Sequence, residues 1–332
     1  MDNSYKKGNL IIYFIIIYYI IIIKGFFFFK MNALKKFVLQ FVFKDFYSLK
    51  NLEDPTFSEE LIKIREKVKN YSEPREGIKK QMEIEMCKVN GYIYYRIQNK
   101  NNKNSNKKVL YIHGGAFFLE ALKVHWNFCH KLSKETGCEI VFPCYPLVPE
   151  SNSEKTHEML LTVYKELLKN SKPEDITVMG DSAGGTLSLS LSMLARDQGL
   201  PLAHEIILIS PGFNIGKTTE EESKRLEEIK KNDYILGDFP VEKIKVIWCG
   251  NLNPNDYRVN VMNGSLKGLP RITLFSGTND VMNIPARRFV SKMEKEGHPY
   301  CYEEKEGGLH VYVLIKNSPS ELELIKSRVM DN

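Results

Sequence analysis

Asp175-Ile-Thr-Val-Met-Gly-Asp-Ser-Ala-Gly-Gly-Thr186 decides the fold. Residues 176–179 form a β-branched, apolar run with the composition of a buried strand. Residues 186–195 alternate Leu with Ser, but their length and their Leu, Met and Ala content favour a buried helix. Between the two, Gly180-Asp181-Ser182-Ala183-Gly184 matches G-x-S-x-G. A sharp strand-to-helix turn there lifts the Ser182 hydroxyl clear of the backbone and aims the first helical N–H groups at a substrate. It also crowds the positions two residues either side of the serine, where glycine removes the Cβ. Ser182 is the candidate nucleophile.

Outward from this turn, strands and helices alternate. Asn90-Gly91 signals a hairpin between strands over 81–89 and 92–98. Strands follow at 109–113, 139–145, 205–210, 271–275 and 300–304. Helices are expected over 124–136, 154–168, 285–296 and 320–329. An antiparallel start followed by β-α repeats gives an α/β fold, with about eight strands in a mostly parallel sheet covered by helices on both faces.

Residues 211–270 break this rhythm, being far longer than an ordinary connection. They include a charged helix opened by Thr218…Glu221 and an apolar stretch at 241–248. Upstream, 31–71 reads as helical, with Leu34, Phe37, Val38 and Phe41 on one face and a Thr56…Glu59 capping box before Leu61, Ile64 and Val68. These two regions are read as a helical cap, from 31–71 and 213–250, on one domain running 31–332.

The leader is different. Residues 10–23 are unbroken apolar and 26–29 are four Phe, interrupted by Lys24-Gly25. Fourteen residues are too few to span a bilayer, and no small-x-small cleavage site follows. Residues 1–30 therefore read as an apolar leader, with translation starting at Met31 and a cytoplasmic chain, or as a membrane anchor through residues 10–29.

The 332 residues are 43% hydrophobic and carry a net charge of +6, spread along the chain rather than blocked. That argues against a nucleic-acid partner. The six cysteines form no C-x-x-C pair and no Cys/His ligand spacing, so a reducing compartment and no metal or cofactor are expected.

A serine nucleophile needs a base held in the right tautomer by a carboxylate, and N–H donors for the oxyanion. His113-Gly-Gly-Ala-Phe117 follows a strand, and its glycines allow a twist that presents N–H groups above Ser182. Asp280 closes the strand at 271–275, at the carboxyl end where open α/β sheets place their chemistry. His310 lies in a loop after the last strand. His125, His130, His157, His204 and His298 fall on helices or before strands and read as structural.

With these motifs the chain resembles the α/β-hydrolase fold and, within it, the hormone-sensitive-lipase-like carboxylesterases. The resemblance covers roughly residues 75–330 and rests on HGGAF (113–117), YPLVPE (145–150), GDSAGG (180–185), the Ser-Pro pair at 210–211, GTND (277–280) and GLH (307–310). It implies Ser182 as nucleophile, His310 as base and Asp280 as its orienter. It further implies oxyanion donors at the N–H groups of Gly114, Gly115 and Ala183, with His113 and Glu150 bracing the loop. Ala116 stands where a third glycine is commoner, and Pro146 where arginine is; both read as variation that touches no catalytic atom. Asn214 stands where aspartate is common.

The reading is a serine carboxylesterase that cleaves short- to medium-chain acyl esters through an acyl-enzyme, with Phe117 and Phe118 as pocket walls. An amide hydrolase of the same fold, formamidase-like, and a non-catalytic ligand-binding member are the alternatives. The partner is a small-molecule ester.

Overall fold

The hairpin is where local chemistry is plainest. Asn90 and Gly91 both take positive φ, 50° and 85°, as a two-residue turn between twisted strands demands. They join β1 (Met82–Val89) to β2 (Tyr92–Asn99) with Val89 opposite Tyr92. Six more strands follow: β3 (Lys108–Ile112), β4 (Glu139–Pro143), β5 (Ile176–Asp181), β6 (Glu205–Ile209), β7 (Arg271–Gly277) and β8 (Tyr300–Lys305). The sheet order is β1-β2-β4-β3-β5-β6-β7-β8; β2 runs antiparallel to both its neighbours and the other pairs are parallel. The expected eight-stranded, mostly parallel sheet is observed.

This computed structural model describes residues 49, 55–69, 73–237, 239–315 and 318–331. The leader at 1–30 and the first helix expected after Met31 lie outside the described residues. Among the described residues no helix is long and apolar enough to cross a membrane.

The helices are α1 (Thr56–Val68), α2 (Glu76–Gln81), α3 (Lys123–Thr136), α4 (Ser153–Lys169), α5 (Ala183–Asp197), α6 (Glu220–Asn232), α7 (Val241–Cys249), α8 (Asn283–Lys295), α9 (Tyr312–Ile315) and α10 (Pro319–Met330). Strand alternation divides the core between two faces. Val109 and Tyr111 of β3 pack with Trp126, Leu132, Leu322 and Ile325 of α3 and α10. Leu110 and Ile112 pack with Leu160, Val163 and Leu187 of α4 and α5 on the other face.

In α5 the Leu/Ser alternation is helical because the serines bond locally: Ser188 donates to the Gly184 carbonyl and Ser192 to the Ser188 carbonyl, both at 2.8 Å. Two expected helix starts shift. At α1 the N-terminus at Pro55 has no side-chain cap, so the Thr56…Glu59 box does not form. At α6 the box is Thr219 with Glu222, one residue later than expected, each side chain bonding the other's backbone N–H. Helices α1 and α7 share a buried cluster with the loop after β3, through Phe57, Leu61, Ile64, Ile244 and Trp248 around Phe117 and Phe118.

Candidate active site

The parallel strands β5, β6, β7 and β8 lie side by side, so the loops leaving their carboxyl ends meet at one end of the sheet. Ser182 sits between β5 and α5 at φ 50° and ψ −122°, a strained conformation for a residue with a Cβ. Its N–H donates to the Ile209 carbonyl and its carbonyl accepts from Gly212, both at 2.9 Å, which holds the strain in place. A Cβ on Gly180 would overlap the Gly184 carbonyl, and one on Gly184 would overlap the carbonyls of Ile112 and His113. Both glycines are needed for the close approach that the sequence implied.

Two other loops bring the remaining groups to the same point. His310 Nε2 lies 2.8 Å from Ser182 Oγ, and His310 Nδ1 lies 2.9 Å from Asp280 Oδ2. Because the carboxylate accepts at Nδ1, the ring proton belongs there and Nε2 keeps its lone pair for the serine hydroxyl. The Asp280 and His310 loops are fastened to one another. The Asn279 N–H donates to the Gly308 carbonyl at 2.9 Å, and the Gly307 N–H to Thr278 Oγ1 at 2.8 Å. Ser210, of the Ser-Pro pair, accepts the Val311 N–H at 3.1 Å and so pins the His310 loop from β6. Burial pushes the His310 imidazole down, but the charge and hydrogen bond of Asp280, with the charges of Asp233 and Asp181, hold it above its ordinary value.

The loop after β3 differs from expectation at one atom. The Gly114 N–H donates to Asp181 Oδ1 at 3.1 Å, so it is spent on bracing the loop and does not face the space above Ser182. Gly115, Ala116 and Phe117 run through positive φ of 123°, 49° and 64°. Among the described residues the N–H groups of Gly115, Ala116 and Ala183 have no hydrogen-bond partner. Ala183 opens α5, where first-turn N–H groups have no intrahelical acceptor. Ala116 borders the small cavity at Ser182, so it is nearer the chemistry than its reading as a neutral variant implied.

Asp181 was only a spacer in the sequence pattern. In the fold its buried carboxylate also accepts from the Tyr111 hydroxyl at 2.6 Å and meets His125 Nε2 at 3.3 Å. His125 Nδ1 accepts the Leu122 N–H at 2.8 Å, which leaves its proton on Nε2 for Asp181. Burial pushes the Asp181 carboxyl up, yet the contact with His125 and the Tyr111 hydrogen bond leave it below its ordinary value. His125 thus anchors the loop instead of merely filling a helix. The signal was present as Asp181 beside the serine and a histidine twelve positions after His113, but only the fold joins them.

His113 is buried, donates from Nδ1 to the Gly114 carbonyl at 2.7 Å, and stacks on Tyr145 with centroids 4.5 Å apart. Burial, then the neighbouring His125, lowers its pKa to about 4, so it is a neutral brace. Glu150 reaches the loop only indirectly. It pairs with Arg65 of α1, whose guanidinium donates to the Val148 carbonyl at 3.2 Å and the Phe118 carbonyl at 3.5 Å. Asn214 closes a turn by accepting the Gly216 N–H at 3.0 Å.

A cavity of about 30 Å³ abuts Ser182, walled by Ala116, Phe117, Leu236, Phe239, Ile244 and Met282. Phe117 lines it as expected. Phe118 does not: it is fully buried and stacks toward Phe239 at 6.3 Å. A larger hollow of about 1150 Å³ lies behind the loop, where His113, Trp126 and Tyr145 border it and Ser182 does not.

Known proteins share this fold. Residues 109–314 match a family model described as alpha/beta hydrolase fold. An esterase of Acinetobacter venetianus is 31% identical over 198 residues, 59% of this chain and 64% of its own length. A triacylglycerol lipase of Mycobacterium tuberculosis is 27% identical, over 62% of this chain and 42% of its own length. The chain thus spans less than two thirds of both curated relatives. Among solved structures, an esterase from the bacterial hormone-sensitive lipase family superposes with a TM-score of 0.70 at 20% identity, covering 88% of this chain and 95% of that one. An esterase/lipase from an uncultured bacterium does so with 0.72 at 21%, covering 90% and 96%. At these identities the superpositions speak for the fold.

Proposed function

The chain belongs to the α/β-hydrolase family, and on that footing we propose that it is a serine carboxylesterase acting on short- to medium-chain acyl esters. One observation carries the reading: the unbroken contact from Ser182 Oγ through His310 to Asp280, at 2.8 and 2.9 Å. Ser182 attacks the ester carbonyl as its proton passes to His310 Nε2. The oxyanion is held by the N–H groups of Gly115, Ala116 and Ala183, donors worth about 10²–10³ in rate each. His310 then protonates the departing alcohol, and water releases the acid by the reverse sequence.

The cavity beside Ser182 supports the chain-length preference. Its volume is only about 30 Å³. A short acyl group fits with small adjustments, whereas a long one needs the apolar side chains of the covering segment to part. That segment, α6 and α7 together with α1, acts as the cap.

Hydrolysis of p-nitrophenyl esters from acetate to palmitate tests both parts. Activity is expected to peak at short to medium chains and to fall by about 10⁴–10⁶ in Ser182→Ala. A flat response in both proteins rejects the esterase, and activity confined to palmitate rejects the small pocket.

A further inference from the structure

Asp233 ends α6 and is 2% exposed. Its Oδ1 accepts the N–H groups of Ile235 and Leu236 at 3.0 and 2.9 Å, and its Oδ2 accepts the Val281 N–H at 2.9 Å. Val281 directly follows Asp280, whose Oδ1 is occupied by the Met282 N–H at 2.9 Å. Leu236 and Met282 are both walls of the cavity at Ser182. One buried carboxylate therefore joins the turn that closes the cavity to the loop that orients the base.

A carboxylate is a costly anchor in such a place, because an amide or hydroxyl can accept the same N–H groups without a buried charge. The cost has a use during acyl transfer. While His310 is neutral, Asp233 and Asp280 repel one another across the site. When the serine proton reaches His310, both gain a cation. The interaction strengthens toward the transition state, which is the condition for raising kcat.

We propose that Asp233 is a positioning residue for this reaction, latching the covering turn to the Asp280 loop and stabilising the imidazolium that forms on His310. The inference rests on the esterase reading. The titratable groups facing Asp233 are Asp280 from the loop after β7 and His310 from the loop after β8; on α6, Lys230 is paired with Glu227. Burial and Asp280 push the Asp233 carboxyl up, and His310 pulls it back. Asp233 in turn helps to hold His310 above its ordinary value.

Asp233→Asn keeps the shape, removes the charge and turns an amide N–H toward that of Val281. It is expected to lower kcat roughly tenfold with little change in KM, and to move the acid limb of kcat/KM to lower pH. Asp233→Glu keeps the charge and is expected to leave the limb near its wild-type position. An Asn variant whose limb coincides with the wild type overturns the proposal, whatever its kcat.

Nuclear magnetic resonance titration of the His310 ring reads the same shift without substrate. If the wild type hydrolyses no ester, the esterase reading falls and this titration still decides the role of Asp233. If the Asn variant does not fold, the wild-type Asp233 carboxyl and His310 ring are followed together. Coupled titration is expected, and independent curves overturn the proposal.

Discussion

The strand ends at the centre of the sheet and the segment between β6 and β7 meet at Ser182, but they are held by different means. At the centre, main chain lies on main chain. Gly180, Gly184 and the Ile112 carbonyl leave no room for a Cβ, and neither do Gly277 and the Gly308 carbonyl. The covering segment is held by side chains: Trp248 on Phe117, Phe239 beside Phe118, and Arg288 on Glu222. The reacting groups are thus fixed by contacts that do not adapt, and the pocket walls by contacts that can be exchanged one at a time. Substitutions at the triad should therefore cost rate with little loss of stability, and those of the apolar side chains in the covering segment the reverse.

On the rate side, Asp280→Asn breaks the centre without touching the nucleophile. The Met282 N–H holds one oxygen of residue 280, so the new amide nitrogen faces His310 Nδ1. The ring must then carry its proton on Nε2, where it cannot accept from Ser182. A fall in kcat of about 10⁴ is expected. Asp280 also contributes to raising His310. Neutral His310 is the active form, so activity falls as pH drops through its folded pKa, and without the Asp280 charge this limb moves to lower pH. A variant within tenfold of wild type, or a limb moved upward, breaks the assignment of the centre to the chemistry.

How legible each region was in the sequence follows from the same division. The elbow, the hairpin and the succession of strands along the chain are written in local signals: glycine pairs, β-branched runs and the Asn90-Gly91 turn. Ser182, Asp280 and His310 stood out because each lies in a turn or loop that follows a strand. The Gly114 N–H was misassigned because its partner, Asp181, lies 67 residues away and becomes its neighbour only when β3 pairs with β5. Asp233 left no mark either, since an aspartate ending a charged helix looks solvated until the fold buries it. The capping box at 219–222 was read one residue early because Thr218 and Thr219 are both followed, three positions on, by glutamate.

Trp248 tests the covering side. It is 1% exposed and stacks on Phe117 with centroids 4.2 Å apart. Trp248→Ala removes that ring and leaves a void, at a cost of about 3–5 kcal/mol in urea unfolding. Hydrolysis of acetate esters should persist while the preference moves toward longer chains. A loss below about 1 kcal/mol means the wall is not held by this stack. Loss of all acetate activity in a folded variant means that the stack also fixes the oxyanion loop, and the division between the regions fails there.

The smallest effect belongs to the fork that ties α6 to α8. Arg288 donates from Nε and Nη2 to the two Glu222 oxygens at 2.7 and 2.6 Å, and Glu222 also accepts the Thr219 N–H at 2.8 Å. Arg288 above all, with that N–H, lowers the Glu222 pKa to about 2. Glu222→Gln keeps the capping bond and loses the fork, so a destabilisation of about 1 kcal/mol is expected at neutral pH. The sign against pH is fixed. A carboxyl depressed in the folded state contributes stability above its unfolded value, near 4.5, and loses it as pH falls toward the folded one. The gap between wild type and variant should therefore narrow in urea titrations stepped from pH 5 to 3, with acetate kinetics unchanged at neutral pH. A gap that stays constant over that range assigns the loss to packing instead of charge. A gap of several kcal/mol would make the anchoring of α6 as rigid as the strand ends, and the contrast between the two regions would not stand.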